Sequence, residues 1–332
     1  MKILIIGGTR NVGHLLTLEL LKQGHLVTVL NRGKTRDELP AEIQRLHCDR
    51  SDTSNLNKVL TGKSFDVVVD MALYNETDAR AITDLLYGRV GHYVFLSTGQ
   101  VYLVRNKLPR PFTEDATESP LVEAPAAGTR DHEEWLYGVE KSQAEDILIE
   151  AWHRRKFPFT TLRLPMVNSE RDHFQRIYNY LLRMQDGGPI LIPGGEHLSL
   201  RHIYAEDVVQ AILRTMQNDV GKGRVYNISQ DETVSIENFL ALLATIAGRT
   251  LELKRIDRNV LENHQFIPDC SPFSDPWMSE LDNQRSKMEL GMSYTPLPIY
   301  LEKLVAYCKS AAIPLPDGYR RRREEIKLAS ES

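Results

Sequence analysis

Short apolar runs alternate with helical patterns over the first half of the chain. The runs are rich in Val, Ile and Leu, and they lie at residues 2–6, 26–31, 45–48, 65–70, 92–97 and 159–164. Strands that are almost continuously apolar are typical of a parallel sheet covered on both faces, with helices as right-handed crossovers. The pattern therefore predicts an α/β protein with a doubly wound parallel sheet, whose ligand lies beyond the carboxyl ends of the strands.

The first predicted strand runs directly into a glycine-rich turn, Gly7-Gly8-Thr9-Arg10-Asn11-Val12-Gly13. Glycines at this position allow a tight turn, and they let a pyrophosphate approach the positive end of the following helix. A plain strand-to-helix turn is the alternative. Because the turn follows the first strand, it favours a Rossmann-type nucleotide-binding domain.

The second predicted strand ends in Asn31-Arg32-Gly33-Lys34, where no carboxylate stands. Domains that bind NAD usually carry an acidic residue here for the ribose, whereas an arginine accommodates the 2′-phosphate of NADP. Arg32, with Arg10 and Lys34, offers charge-assisted hydrogen bonds to a phosphate. We therefore expect NADP(H) as the preferred cofactor and NAD(H) as the alternative. The competing interpretation is that these basic residues lie at the surface and bind no ligand.

Tyr137 and Lys141 are four residues apart on a predicted helix, so their side chains share a face. A nearby ammonium and the positive ring of an oxidised nicotinamide both stabilise a phenolate, which draws the pKa of the tyrosine towards neutrality. Thr98 ends a predicted central strand and is suited to hold a substrate oxygen beside Tyr137. These three residues are the predicted catalytic group for hydride transfer. The alternative is that the tyrosine is structural and the lysine lies at the surface.

Length and composition limit the remaining possibilities. A chain of 332 residues exceeds the usual single core and favours two lobes, and its net charge of −4 gives no reason to expect nucleic acid as a partner. No apolar run is long enough for a membrane span. The three cysteines are far apart, which favours reduced thiols in a cytoplasm and offers no metal site. The basic run 320–323 is interpreted as a solvated tail or surface helix.

Taken together, the motifs resemble those of the extended short-chain dehydrogenase/reductases, the NAD-dependent epimerase/dehydratase family. The resemblance covers nearly the whole chain and includes the glycine turn, Asp49-Arg50-Ser51-Asp52, Ser97-Thr98-Gly99-Gln100-Val101-Tyr102, Tyr137 with Lys141, Arg201-His202-Ile203-Tyr204-Ala205-Glu206-Asp207-Val208, Val225-Tyr226-Asn227-Ile228 and Glu289-Leu290-Gly291. The turn is of the atypical Gly-Gly-Thr-Arg type, because Arg10 replaces the family's middle glycine. The best-known members of that branch are plastid RNA-associated proteins.

The resemblance implies roles for particular residues. Asp49 would bind the adenine amino group, and Thr98, Tyr137 and Lys141 would be the catalytic trio. The other implied cofactor contacts are Gly7, Thr9, Arg10, Asn11, Val12, Gly13, Asn31, Arg32, Arg50, Ala72, Lys141 and Pro165. Residues 1–164 would form the cofactor-binding domain, with 202–229 partly returning to it. Residues 165–201 and 230–332 would form a smaller substrate-binding lobe, and Tyr102, Arg201 and His202 would line the pocket.

The chain departs from the family at several positions. Gly99-Gln100 replaces the Asp-Glu pair of the sugar-nucleotide dehydratases, which argues against dehydration, and Met166 replaces an asparagine that helps to seat a substrate diphosphate. Asp70 replaces the usual histidine after the fourth strand, with no role that the sequence assigns. The segment 269–277 is interpreted either as a substrate lid or as a plain surface crossing.

The leading functional hypothesis is an NADP(H)-dependent oxidoreductase that interconverts a secondary alcohol and a ketone of a small-molecule substrate. The alternatives are an epimerase of a (nucleotide-)sugar with tightly bound NAD(P), and a non-enzymatic nucleotide- or RNA-binding protein. Family likeness also implies a homodimer formed through the predicted helices 77–87 and 132–155.

Overall fold

The computed structural model describes residues 1–34, 37–116, 119–195, 199–217 and 221–331. The chain divides into two compact units. The first contains Met1–Pro165, Ala205–Ser229 and Leu281–Ser293, and the second contains Met166–Tyr204, Gln230–Glu280 and Tyr294–Ser332.

The strands and helices of the described residues are as follows. The strands are β1 Lys2–Ile6, β2 Leu26–Asn31, β3 Gln44–His47, β4 Phe65–Asp70, β5 Val90–Thr98, β6 Phe159–Leu164, β7 Val167–Asn168, β8 Ile190–Pro193, β9 Ile203–Tyr204, β10 Arg224–Asn227 and β11 Leu253–Ile256. The α-helices are α1 Asn11–Lys22, α2 Thr53–Leu60, α3 Glu76–Leu86, α4 Gln100–Leu103, α5 Arg130–Arg155, α6 Arg176–Asp186, α7 Ala205–Gln217, α8 Ile236–Ala247, α9 Arg258–Asn263, α10 Gln284–Leu290, α11 Leu297–Ser310 and α12 Arg322–Glu331.

The first unit is built on a seven-stranded sheet with the order β10-β6-β5-β4-β1-β2-β3. All its strand pairs are parallel. The strand order reverses between β1 and β4, and such a reversal opens a crevice at the carboxyl ends of the strands. The predicted Rossmann-type fold is confirmed, and the observed strands differ from the predicted ones by no more than two residues at an end.

Apolar side chains hold this sheet between helices. Residues of β1, β4 and β5 pack with α3 and α5 in one core, which includes Leu4, Val68, Ile82, Phe95 and Leu148. Helices α1 and α7 pack against each other. Helix α5 is capped by Thr129, whose hydroxyl accepts from the amide of His132. The helix begins at Arg130.

The second unit has two small parallel sheets, one of β8 with β11 and one of β7 with β9. Its core is formed by α6, α8 and α11, and it contains Tyr180, Phe239, Leu243, Tyr300 and Leu301. No described helix is long and apolar enough to cross a membrane.

Three expectations for the C-terminal part of the chain need correction. Residues 281–293 belong to the first unit, because Leu281 bridges Phe112 and the amide of Asp282 donates to the Phe112 carbonyl. The segment 269–277 is not a plain surface crossing, because Phe273 is buried in a core. The basic run 320–323 is not simply solvated, because Arg322 is buried and pairs with Asp186 and Glu325.

Candidate functional site

The glycine turn joins β1 to α1 with almost no space to spare. Gly7 has a φ of +88°, and its amide donates to the carbonyl of Leu30. A Cβ atom on Gly8 would lie 2.5 Å from Cγ2 of Ile5. The turn therefore requires glycines, and it brings the first turn of α1 to the carboxyl end of β1. The N-cap residue of α1, Arg10, makes no side-chain capping hydrogen bond.

A cleft of about 560 Å³ opens beside this turn. It is lined by Ile6, Gly7, Thr9, Arg10, Leu30, Asn31, Arg32, Gly33, Lys34, Cys48, Asp49, Arg50, Ser51, Met71, Ala72, Tyr74, Asn75 and Asp78. Most of these residues follow the carboxyl ends of β1, β2, β3 and β4. The cleft therefore lies at the reversal of strand order, where doubly wound sheets bind nucleotides.

Eight of the predicted cofactor-binding residues line this cleft: Gly7, Thr9, Arg10, Asn31, Arg32, Asp49, Arg50 and Ala72. The other five, Asn11, Val12, Gly13, Lys141 and Pro165, are not among the described residues that line it. Val12 is buried in α1, and Pro165 is buried directly after β6.

Charged side chains of both signs lie at the ends of β2 and β3. The side chain of Asn31 accepts from the amide of Gly33, whereas Arg32 and Lys34 are exposed. Hydrogen bonds from Ser51 lower the pKa of the exposed Asp49 carboxyl, and the charges of Arg32 and Lys34 add to this effect. This end of the cleft thus carries two cations and an ionised carboxylate.

Below the cleft, the carboxylate of Asp70 is fully buried at the end of β4. It accepts from the phenol of Tyr93 at 2.6 Å and from the amide of Ala72 at 2.9 Å, and it pairs with Nη1 of Arg50 at 3.1 Å. Nε and Nη2 of Arg50 have no hydrogen-bond partner among the described residues. The structure thus gives Asp70 three partners, which the sequence did not reveal.

The three predicted catalytic residues come together at the carboxyl end of β5. The hydroxyl of Thr98 lies close enough to the phenol of Tyr137 to favour its ionised form. Nζ of Lys141, one helical turn further along α5, donates to the carbonyls of Leu73 at 2.8 Å and Leu96 at 2.9 Å. Gly138 lets α5 pack closely against Gln100, because a Cβ atom on Gly138 would lie 2.8 Å from the carbonyl oxygen of Gln100.

Burial changes the acid–base properties of this pair. It raises the pKa of Tyr137, and Tyr74 and Glu134 act in the same direction, against the hydrogen bond from Thr98. It also lowers the pKa of Lys141 to about 7. Desolvation thus disfavours the charged form of both groups in the chain alone, whereas the predicted shift of the Tyr137 pKa also involves the positive ring of an oxidised nicotinamide.

Three further residues lie beside Tyr137. The ring of Tyr74 lies 6.4 Å from the ring of Tyr137, and Tyr74 also lines the nucleotide cleft. Glu134, three residues before Tyr137 on α5, accepts a hydrogen bond from the side chain of Gln100. The helical spacing of Glu134 and Tyr137 was a signal in the sequence, whereas the position of Tyr74 depends on the fold.

Two of the predicted pocket residues have structural roles instead. Tyr102 is fully buried in the first unit and donates to Oδ1 of Asn227. In the second unit, His202 is buried against Phe273 and Phe239, and burial lowers its pKa to about 3. Among the described residues there is no group of three or more His, Cys, Asp or Glu side chains placed to hold a metal ion.

Relatives of known sequence extend these observations. The chain is 26% identical over 264 residues to the chloroplast stem-loop binding protein of 41 kDa b of Arabidopsis thaliana, covering 74% of this chain and 63% of that protein. It is 22% identical over 233 residues to the 2′-dehydrokanamycin reductase of Streptomyces kanamyceticus, covering 69% and 62%. The chain thus spans slightly less than two thirds of the length of these two curated relatives.

Solved structures share the fold at low identity. The UDP-glucose 4-epimerase of Thermotoga maritima superposes with a TM-score of 0.73 at 19% identity, covering 93% of this chain and 99% of that chain. The UDP-glucuronic acid 4-epimerase of Bacillus cereus, in complex with UDP-glucuronic acid and NAD, gives a TM-score of 0.70 at 19% identity and the same coverage.

A family model also matches the chain. The model describes the NAD dependent epimerase/dehydratase family, and it matches residues 3–90 and 80–229. These residues include the glycine turn, the cleft, and the group formed by Thr98, Tyr137 and Lys141. With this match and a sheet of the same architecture as the solved enzymes, the chain belongs to the NAD dependent epimerase/dehydratase family.

Proposed function

We propose that the protein is an NADP(H)-dependent oxidoreductase that interconverts a secondary alcohol and a ketone of a small molecule. The observation that carries the proposal is the placement of Thr98 beside Tyr137 at the carboxyl end of β5, with Nζ of Lys141 5.9 Å from the centre of the Tyr137 ring. This group belongs to the same unit as the nucleotide cleft, and Tyr74 connects the two. The second unit is the proposed substrate-binding lobe.

The cleft fits a dinucleotide in its shape and chemistry. A Cβ atom on Gly8 or Gly13 would collide with the turn, so these glycines keep the first turn of α1 close to the end of β1, where its amide groups would bind a pyrophosphate. Asp49 would bind the adenine amino group, and Arg32 would bind a 2′-phosphate. Hydride transfer is the chemistry that a nicotinamide cofactor supplies when bound.

The proton is handled by residues of this chain. The hydroxyls of Thr98 and Tyr137 would together hold the substrate oxygen, and the phenol of Tyr137 would give its proton to that oxygen as a ketone is reduced. The ammonium form of Lys141 would then stabilise the phenolate. In the oxidative direction, the same phenolate would take the proton of the alcohol.

The preference for NADP(H) rests on the end of β2. Asn31 stands where NAD-binding domains usually carry a carboxylate, and its side chain is engaged with the amide of Gly33. Arg32 and Lys34 are exposed cations that line the cleft. NAD(H) is the alternative cofactor, since structural neighbours such as the Bacillus cereus enzyme were solved with NAD.

Two other functions have specific support. An epimerase that recycles a tightly bound cofactor uses the same catalytic group, and the structural neighbours include UDP-sugar epimerases. A non-enzymatic RNA-binding role is favoured by the relative named as a stem-loop binding protein and by Arg10. The net charge of −4 weighs against this role, because RNA is bound mainly through positive charge.

One set of assays separates the three functions. The protein would be incubated with NADP⁺ or NAD⁺ and a panel of secondary alcohols and UDP-sugars, while the absorbance of reduced cofactor and the products are followed. Net formation of NADPH supports the proposal, and an isomerised product without net reduced cofactor supports the epimerase. Salt-dependent RNA retention with neither reaction supports the binding protein and contradicts the proposal.

We also propose a homodimer formed through α3 and α5, on the basis of family likeness. A reducing compartment such as the cytoplasm is the proposed location, since all three cysteines are free thiols.

A further inference from the structure

The ion pair of Arg50 and Asp70 has no part in the mechanism proposed above, although it lies under the cleft. Both side chains are almost fully buried, at 8% and 0% exposure. Arg50 also lies 3.9 Å from the carboxylate of Asp78 on α3. Because two buried charges are costly to desolvate, a gain in stability does not account for the presence of this ion pair in the interior.

A short hydrogen-bonded route joins Asp70 to Lys141. Oδ1 of Asp70 accepts from the amide of Ala72, which fixes the backbone directly after β4. The carbonyl of the next residue, Leu73, accepts from Nζ of Lys141 at 2.8 Å. Asp70 thus holds in place a peptide segment that supplies one of the two carbonyl acceptors of Lys141.

Charged groups also act on Lys141 through space. Its Nζ is enclosed by aromatic rings, at 4.4 Å from the ring centroid of Phe95 and 5.3 Å from that of Tyr74, and Tyr137 is the third ring around it. Asp70 and Glu145 favour the ammonium form, and Arg50 opposes it. Glu145 is already paired with Arg163, and Asp78 lies beside Arg50.

We infer that Asp70 is a positioning residue for Lys141: its carboxylate fixes the Leu73 carbonyl and attracts the ammonium, while Arg50 limits that attraction. The catalytic consequence rests on the proposed function, but the electrostatic relation does not. Asp70 and Arg50 therefore set how much of Lys141 is protonated at neutral pH, and through it how readily Tyr137 ionises.

The test measures the protonation of Lys141 directly. Protein labelled with ¹³C,¹⁵N-lysine is titrated by NMR at the Cε and Nζ atoms, and Lys141→Met assigns the signal. In Asp70→Asn the side chain keeps nearly the same shape and loses its charge, so the pKa of Lys141 should fall by about one pH unit. In Arg50→Met a repelling charge is removed, so the pKa should rise by about one pH unit.

The opposite signs distinguish an electrostatic effect from damage to the fold. Asp66→Asn is the matched control, because Asp66 lies on the same strand, is exposed and accepts from the amide of Lys2. It should leave the titration of Lys141 unchanged. An unchanged pKa in a folded Asp70→Asn variant, or a fall in Arg50→Met, overturns the inference. If Asp70→Asn does not fold, Arg50→Met and the double variant Asp70→Asn/Arg50→Met provide the test. In the double variant the pKa of Lys141 should be close to the native value.

Activity supplies a second, separate readout. If the proposed function holds, the decline of turnover at high pH begins at lower pH in Asp70→Asn, because the ammonium form is lost earlier. The pKa of Lys141 could change as expected in both variants while the protein shows no oxidoreductase activity. That result would leave the inference standing and contradict the proposed function instead.

Discussion

Tyr137 is the residue whose chemistry can be isolated by the smallest change. Tyr137→Phe keeps the ring and its packing, and removes the hydroxyl that lies beside Thr98. We expect turnover to fall by roughly 10² to 10⁴, the usual worth of a positioned acid or base, with little change in cofactor affinity. Steady-state kinetics and cofactor titration measure the two effects. Near-normal turnover, accompanied only by a lower melting temperature, would make Tyr137 a structural residue.

Arg32 tests the preference for NADP(H). Arg32→Ala should weaken NADPH binding by on the order of 1–3 kcal/mol, the range for hydrogen bonds to charged groups, and leave NADH binding nearly unchanged. Calorimetric titration of both cofactors measures this difference. Arg89→Ala, an exposed arginine at the opposite end of the sheet, is the control. Equal losses for NADPH and NADH would show that Arg32 does not contact the phosphate.

His202 makes stability depend on pH. Its pKa is about 3 in the folded chain, because burial and the charge of Arg176 disfavour the imidazolium, whereas an unfolded histidine has a pKa of 6.5. The unfolded state therefore binds the extra proton, so this contribution to stability is present above pH 6.5 and is lost as the pH falls. The loss should be about 2 kcal/mol at pH 5.

Urea unfolding at pH 7 and pH 5 measures the effect of His202. His202→Gln should remove most of that pH dependence, whereas the exposed His264→Gln, in the same unit, should not. An unchanged pH dependence in His202→Gln would mean that the pKa of His202 is not lowered in the folded state.

Single residues differ in how far the sequence reveals them. The roles of Gly7 and Gly8 were predictable, because the geometry of a strand-to-helix turn is local. Tyr137 and Lys141 were predictable from their spacing on one helix face. Asp70 was not, because its partners come from β5, from the loop after β3, and from the backbone after β4. The lowered pKa of Lys141 likewise depends on burial by distant segments.

At the scale of elements, the parallel strands were the most predictable features. Their apolar runs coincide with β1, β2, β4 and β6 residue for residue, because a strand covered on both faces is mostly apolar. The segment 269–277 was misinterpreted, since its Pro, Ser and Asp residues are typical of exposed turns, and Ser271 and Ser274 bond each other in the interior.

Helix α12 is attached through a buried ion pair. The carboxylate of Glu325 accepts from Nη2 of Arg183 at 2.5 Å and from Nη1 of Arg322 at 3.1 Å, and all three side chains are buried. Glu325→Gln leaves the buried guanidinium of Arg183 without its counter-charge, whereas Arg322 keeps Asp186. We expect a loss of about 3–5 kcal/mol in the free energy of unfolding, measured by urea titration.

The neighbouring Glu324 supplies the control for this prediction. Glu324 pairs with Arg321 at the surface, so Glu324→Gln should change stability very little. If the two variants are equally stable, the pair of Arg183 and Glu325 is not buried in solution as it is in this structure.

At the scale of the whole molecule, the oligomeric state remains a prediction. The outer surfaces of α3 and α5 carry ion pairs that join Arg80 to Glu76 and Glu150, and Arg155 to Asp84. A two-fold contact through these helices would enclose such charges. On family likeness, we expect light scattering at micromolar concentration to show a dimer. Because the contact would enclose these charges, we expect added salt to weaken it. A monomeric mass at every concentration and ionic strength would contradict the dimer.

The division of the chain into units also affects how it can be made. The chain passes from one unit to the other at residues 165, 204, 229, 280 and 293, so no single cut releases either unit intact. A nascent chain that has left the ribosome as far as β6 still lacks the edge strand β10 and the segment that pairs with Phe112. The seventh strand of the nucleotide-binding sheet is therefore added only after residues 166–204 of the second unit have been translated, and the segment that pairs with Phe112 only after residues 230–280. A truncated gene ending near residue 164 would yield a sheet without its edge strand β10.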